Sequence, residues 1–191
     1  MADERTTEQF AGPEEFRAWL RDHHDASKGI WLMIAKTGSG LTTTTYDEAL
    51  DVALAFGWID GQKRRGGEGY WLQGFTRRGP RSPWSKRNRD RADALIQAGA
   101  MEPSGHAEVE RARADGRWDR AYEGQRTARP PADLLEALEE NPAAKEFYAG
   151  LDSVNRYAIL YRIQDAKQPA TRARRIARFV DMLGRGEKIY H

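Results

Sequence analysis

A change of hydrophobic period between Thr45 and Arg77 limits the fold more than anything else in this 191-residue chain. Thr45 and Glu48 have capping-box spacing, in which a hydroxyl and a carboxylate satisfy the first free amides of a helix. Ala49, Leu50, Ala53 and Leu54 follow at helical intervals, and Gly57 is a natural C-cap. Beyond it, Trp58–Arg65 and Tyr70–Arg77 read as two strands around the turn Gly66-Gly67-Glu68-Gly69. A helix that runs straight into a hairpin has one apolar face to bury and a sheet beside it to bury it on.

The flanking segments extend this unit. Pro13 suits a first helical turn, where its missing N–H costs nothing, and Phe16, Trp19, Leu20 and His23 recur on one helical face up to about His24. Ile30–Lys36, opened by Gly29, is apolar and too short for a helix, so it reads as a central strand buried on both faces. After Gly79-Pro80 the pattern turns helical. One helix starts at Ser82-Pro83 or at Ser85 and runs to about Gly99, and Ser104 caps a second through Ala112. Gly124–Pro131 is polar and proline-bounded, the best linker. Helices are expected at Asp133–Glu140, at Pro142–Leu151 after Asn141, at Ser153–Lys167 after Asp152, and at Arg172–Leu183 after Thr171. The expected class is α+β: a small N-terminal α/β unit over 1–125 with a short, mainly antiparallel sheet, followed by a helical C-terminal module over 130–191.

Composition removes several function classes. No apolar run approaches the ~20 residues that span a bilayer, and MADERTTEQF is too acidic and polar for a secretory leader. The expected compartment is cytoplasmic. The absence of cysteine excludes disulfides and thiolate metal sites. His23-His24 are adjacent and diverge on a helix, and the His106/Glu110 pair alone is no metal site. No P-loop, Gly-x-Gly-x-x-Gly or Ser-His-Asp elbow occurs. No cofactor and no metal are expected.

Net charge is only +2, but it is unevenly spread. Residues 1–60 hold 5 Lys/Arg against 11 Asp/Glu, whereas residues 61–91 hold 10 against 2. Such asymmetry marks either an anion-binding surface or two stretches that neutralise one another. Nonspecific nucleic-acid binding is a third possibility beside the two functions below, and the near-neutral total argues against a strong version of it; no specific nucleic-acid partner is expected.

Several blocks carry a resemblance. GIWLMIAK (Gly29–Lys36), YDEALDVALAFGWIDG (Tyr46–Gly61), FTRRGPRSPWSKRN (Phe75–Asn88) and DGRWDRAY (Asp115–Tyr122) are similar to signature blocks of the bacteriocin-protection, YdeI/OmpD-associated family. The stretch from about Pro130 to Lys188, with DAK at Asp165–Lys167 and TRARRI at Thr171–Ile176, resembles its small helical module. The resemblance runs along nearly the whole chain. It implies a link to bacteriocin or antimicrobial-peptide protection, and it assigns no catalytic residue.

Read for chemistry, RRGPRSPWSKRN comes first. It gathers Arg77, Arg78, Arg81, Lys86 and Arg87 around a helix start opened by Ser82 or Ser85, with Trp84 and Asn88 beside them. A helix N-terminus offers free amides and about half a positive charge, and arginine adds a bidentate fork for phosphate or carboxylate. Cations there oppose the helix dipole, a cost that points to a reward from an anion or from the acidic N-terminal half; the plainer reading is that the serine only caps the helix and Trp84 only packs. Asp60, beside Trp58 in FGWIDG, either holds a turn or acts as a general base. An ion pair from Asp60 to the basic segment would serve both readings. Trp31, Trp58, Trp71, Trp84, Tyr70 and Phe75 are either core or a stacking platform. The four arginines of Arg172–Leu183 make either a basic face that lies on a membrane or on RNA or, the better reading for so short a helix, a solvated face on a helix that packs through Ala173, Ile176, Ala177, Val180 and Leu183.

Two functions lead. One is a stress- or bacteriocin-protection protein that holds an anionic small molecule or acidic protein partner through Arg77, Arg81, Ser82, Trp84, Ser85, Lys86 and Asn88, with Trp58 and Asp60 alongside. The other is a small enzyme with Asp60 as base and Arg77, Arg81 and Lys86 as substrate clamps.

Overall fold

The computed structural model describes residues 5–191. β1 (Thr6–Glu8) leads through α1 (Pro13–His23) into β2 (Ile30–Ala35), and the two strands pair in parallel. A crossover helix is what parallel neighbours need. α2 (Tyr46–Ala55) follows, and its start carries the complete capping box: Thr45 Oγ1 accepts the Glu48 amide, and Glu48 accepts the Thr45 amide at 2.9 Å. Those bonds hold the Glu48 carboxyl below the usual range. Gly57, at φ 75°, ends the helix in the left-handed conformation glycine adopts without strain.

β3 (Trp58–Arg65) and β4 (Tyr70–Arg77) form the hairpin, and β4 also pairs antiparallel with β2. The order β1-β2-β4-β3 makes a mixed sheet, where a mainly antiparallel one is expected from the sequence. The difference lies in β1, whose Thr-Thr-Glu has no apolar run to announce a strand. Phe16 and Leu20 of α1 and Leu50, Ala53 and Leu54 of α2 close over Ile30, Leu32, Trp58 and Phe75, all essentially inaccessible to solvent.

α3 (Lys86–Gln97) and α4 (Pro103–Ala114) complete a compact unit that ends at Ala121. Ser85, not Ser82, caps α3, its hydroxyl accepting the Asn88 amide at 3.1 Å. Ser104 is no cap: α4 starts at Pro103, with Glu102 as N-cap. Proline at the first helical position decides that start.

The second unit, Tyr122–His191, holds α5 (Ala132–Glu139), α6 (Pro142–Ala149), α7 (Ser153–Gln164) and α8 (Pro169–Gly184). Asn141 and Asp152 cap α6 and α7 as their sequence positions predict. α8 begins at Pro169 with Gln168 as N-cap, so Thr171 lies inside the helix, again because proline sets the start. Its buried face is Ile176, Phe179 and Leu183, while Ala173 and Ala177 stay exposed. The predicted linker belongs structurally to this unit. Tyr157 donates to the Glu123 carbonyl at 3.1 Å, and Gln125 bonds Ser153. Among the described residues, no helix is long and apolar enough to cross a membrane.

Candidate functional site

The segment from Arg77 to Asn88 is a built loop. Its backbone is pinned at the β4 end, where the Arg78 amide donates to the Gly57 carbonyl at 3.2 Å. A tight turn follows: the Ser82 amide donates to the Gly79 carbonyl at 3.0 Å, and the Gly79 amide donates to Ser82 Oγ at 3.0 Å. Two guanidinium groups then take consecutive carbonyls. Arg78 Nη1 donates to Pro83 O at 3.1 Å, and Arg117 Nη1 donates to Ser82 O at 2.9 Å. This explains the helix start: a helix opened at Pro83 would need the Ser82 carbonyl for its first intrahelical bond.

Trp84 anchors the middle of the loop. It is buried, lies under the Arg78 guanidinium at 3.6 Å, and meets Trp118 edge-on with centroids 4.9 Å apart. Arg117 is oriented by Asp115, with Nε bonds of 2.7 and 2.9 Å. Burial alone would raise the Asp115 pKa, but the Arg117 hydrogen bonds and charge prevail and hold it low. Arg77, Arg81 and Lys86 are exposed on this segment, and Arg77 reaches Asp25 at 3.5 Å. Ser82 and Ser85 spend their hydroxyls on the loop's own amides.

Asp60 forms a second centre. Its Oδ2 accepts the Tyr46 hydroxyl at 2.7 Å, and its Oδ1 accepts Asn88 Nδ2 at 3.4 Å. The carboxylate thus ties the first residue of α2 to the first turn of α3. Burial, then the hydrogen bond and negative charge of Asp60, push the Tyr46 pKa well up, against the pull of Arg87. Its hydroxyl therefore remains a donor at neutral pH.

A β-bulge between Asp60 and Lys63 fixes the rest of this centre. The extra residue sets Asp60 opposite Phe75 and Lys63 opposite Gln73, so both lie on one face of the sheet. Lys63 consequently sits 4.4 Å over Trp71 and 5.4 Å from the Tyr46 ring centre. The fully buried Gln73 amide donates to the Gly61 carbonyl at 2.9 Å, serving a group the irregular ladder leaves over.

The arginines of the basic segment do not pair with Asp60. Arg87 meets Asp47 at 2.6 Å, and Arg91 meets Asp47 at 2.5 Å and Asp51 at 2.7 Å. This part of the charge asymmetry is acidic α2 against basic α3. Trp58 and Trp31 are buried, and the Trp58 indole donates to the His24 carbonyl at 3.2 Å. The structure therefore brings Asp60 and Asn88 together, places Trp58 and Trp84 in the core, and leaves Arg77, Arg81 and Lys86 outward. Tyr46, Lys63, Asp47, Arg117 and Trp118 are the participants that sequence reasoning did not single out. DGRWDRAY held the signal for the last two.

Comparison with known families gives two matches. Residues 8–108 match the family described as Domain of unknown function (DUF8412), and residues 127–186 match Bacteriocin-protection, YdeI or OmpD-Associated. The chain belongs to the first family and carries a module of the second. The YdeI/OmpD-associated resemblance thus holds over the helical unit. The blocks from Gly29 to Asn88 fall under the unknown-function domain, and DGRWDRAY lies between the two matches. No curated protein and no solved structure matches the chain. Both centres described above therefore lie in the unknown-function domain or its immediate C-terminal extension, apart from the YdeI/OmpD-associated module.

Proposed function

We propose that the chain is a binding protein of the bacteriocin-protection type, whose N-terminal unit holds an anionic small molecule or an acidic partner on the Arg77–Asn88 loop. The observation that carries this reading is the way the loop is held. Two guanidiniums, a buried tryptophan pair and two serine hydroxyls fix its backbone, and Arg77, Arg81 and Lys86 are exposed on it, with Arg77 3.5 Å from Asp25. Fixing a cationic loop in advance removes the ordering cost that binding would otherwise meet. Both oxygens of Asp60 are engaged by Tyr46 and Asn88, which suits a tether that positions α3 better than a base awaiting substrate. The protective role rests on the printed description of the family that the C-terminal module matches.

Two experiments test the reading. Phosphate, short carboxylates and a polyglutamate peptide are titrated while tryptophan fluorescence is followed. Saturable binding to the native chain that weakens at least tenfold in Arg77→Ala/Arg81→Ala supports it, since each charge-assisted contact is worth about 1.5–3 kcal/mol. Equal binding by both proteins, or none, counts against it. For the protective role, a strain lacking the protein is exposed to cationic peptides, and an unchanged inhibition curve removes that part of the proposal.

A further inference from the structure

The C-terminal unit contains an uneven distribution of arginine partners. Arg172 is held bidentately by Asp133, at 2.6 and 2.8 Å, and Arg185 is shared by Asp181 and Glu187. Each of these cations is neutralised where it lies. Between α7 and α8 the pattern breaks. A cavity of about 260 Å³ is lined by Tyr161, Arg162, Asp165, Arg175, Arg178 and Phe179, so three arginines and one aspartate border it.

The partners of those three show what is already accounted for. Arg175 donates to the Arg162 carbonyl and reaches Asp165 at 3.2 Å, so it is satisfied by the C-terminal end of α7 and its cap. Arg162 donates to the Ala158 carbonyl at 3.0 Å and to the Tyr190 hydroxyl at 3.2 Å, both neutral groups. Arg178 is exposed and makes no hydrogen bond or ion pair among the described residues. The α7 end and Asp165 together supply about one and a half negative charges against three positive ones. Like charges gathered around one cavity repel, and the arrangement is relieved by an anion that accepts from all of them.

We propose that this cavity is a binding site for a small phosphomonoester. A phosphoryl group carries close to two negative charges at neutral pH and presents oxygens in three directions. It therefore suits guanidiniums that come from two helices, whereas a planar carboxylate accepts best from a single fork. The volume is below that of ordinary drug-sized pockets, which suits a phosphate with a small substituent. Tyr161 and the buried Phe179 provide an apolar wall for that substituent. The site lies wholly in the YdeI/OmpD-associated module.

The test uses the full chain in low-salt buffer, with phenyl phosphate, inorganic phosphate and benzoate as probes in calorimetric titrations. Three single variants accompany the native protein: Arg178→Ala, Arg174→Ala and Arg81→Ala. Arg174 lies on the same helix, is not among the residues that line the cavity, and hydrogen-bonds Thr171, so its loss changes net charge equally without touching the site. Saturable phenyl phosphate binding that falls about tenfold in Arg178→Ala and less than twofold in the other two variants is the expected result. Equal weakening in Arg174→Ala and Arg178→Ala would show diffuse charge attraction and overturn the site. Weakening in Arg81→Ala alone would move the ligand to the N-terminal loop, and benzoate binding as tight as phenyl phosphate would overturn the ligand class. No saturation by about 10 mM phenyl phosphate, an affinity weaker than roughly 3 kcal/mol, also ends the proposal.

Discussion

Replacing Tyr46 with phenylalanine removes one oxygen and leaves the ring that Lys63 and Arg87 approach at 5.4 and 5.5 Å. What is lost is the 2.7 Å bond to the Asp60 carboxylate. A hydrogen bond to a charged acceptor is worth about 1.5–3 kcal/mol, and both residues are only half-buried, so water recovers part of it. The expected destabilisation of the N-terminal unit is therefore about 1.5 kcal/mol, at the low end of that range. Asp60→Asn, which loses the charge and one of the two acceptor oxygens, should cost a similar amount, and the double variant should fall short of the sum by about 1 kcal/mol, because both changes weaken the same contact. Urea unfolding followed by tryptophan fluorescence is the assay, since all six tryptophans precede residue 122 and report only this unit. The pH dependence provides a second readout. The Tyr46 pKa is raised in the fold above its ordinary value of 10.0, so its contribution is complete below that pH and is lost as pH climbs through the folded value. Tyr46→Phe should flatten this alkaline loss. A cost or a coupling under about 0.3 kcal/mol would refute the account of Asp60 as a tether between α2 and α3.

Three further outcomes follow from packing and charge. Gly105→Ala drives a Cβ into the Ala55 carbonyl oxygen and Met101 Sδ, so it should lower the fluorescence-detected stability by about 1–3 kcal/mol; an unchanged midpoint would mean that α4 packs less closely on the end of α2. Ile163→Ala removes a fully buried side chain from the helical unit and should cost about 2–5 kcal/mol in the circular-dichroism transition. The tryptophan transition should stay put, and a common shift would show that the two units unfold as one. In acid, the Arg172 hydrogen bonds at Asp133 and the Asn155 amide at Asp152 hold both carboxyls below their ordinary 3.8. Their contribution is present above that value and is lost as pH falls through the folded pKa values. Helical content should therefore decline in acid, and less so in Asp133→Asn, which has already given up the Arg172 ion pair; identical acid profiles would count against that pair.

Much of the backbone is legible in the amino-acid sequence. The capping box at Thr45, the stop at Gly57, both hairpin strands and the caps at Asn141 and Asp152 depend on residues within a few positions of each other. Where two local signals compete, the outcome depends on more. Proline overrides the expected Ser104 and Thr171 caps, and α3 skips Ser82-Pro83 because Arg117, 35 residues away, takes the Ser82 carbonyl. The strand β1 gives no sign in sequence because three polar residues become a strand only when β2 is there to pair with.

The candidate sites divide in the same way. Sequence marks Arg77–Asn88 as a cationic helix start, since composition and caps are local. It does not say which cations will be spent. Arg91 reaches Asp47 across 44 positions, and Asp60 meets Asn88 across 28, so these pairings exist only once α2 and α3 lie side by side. Lys63 joins the Asp60 face because a bulge shifts the strand by one residue, a change that reverses side-chain direction without altering composition. In sequence Arg175 and Arg178 look like the solvated side of the last helix, and only the packing of α7 against α8 gives them a cavity in common with Arg162. Period, caps and turns are properties of neighbouring residues and are fixed by the sequence itself; convergence of charge belongs to contacts between distant ones, and those are set when the apolar faces close.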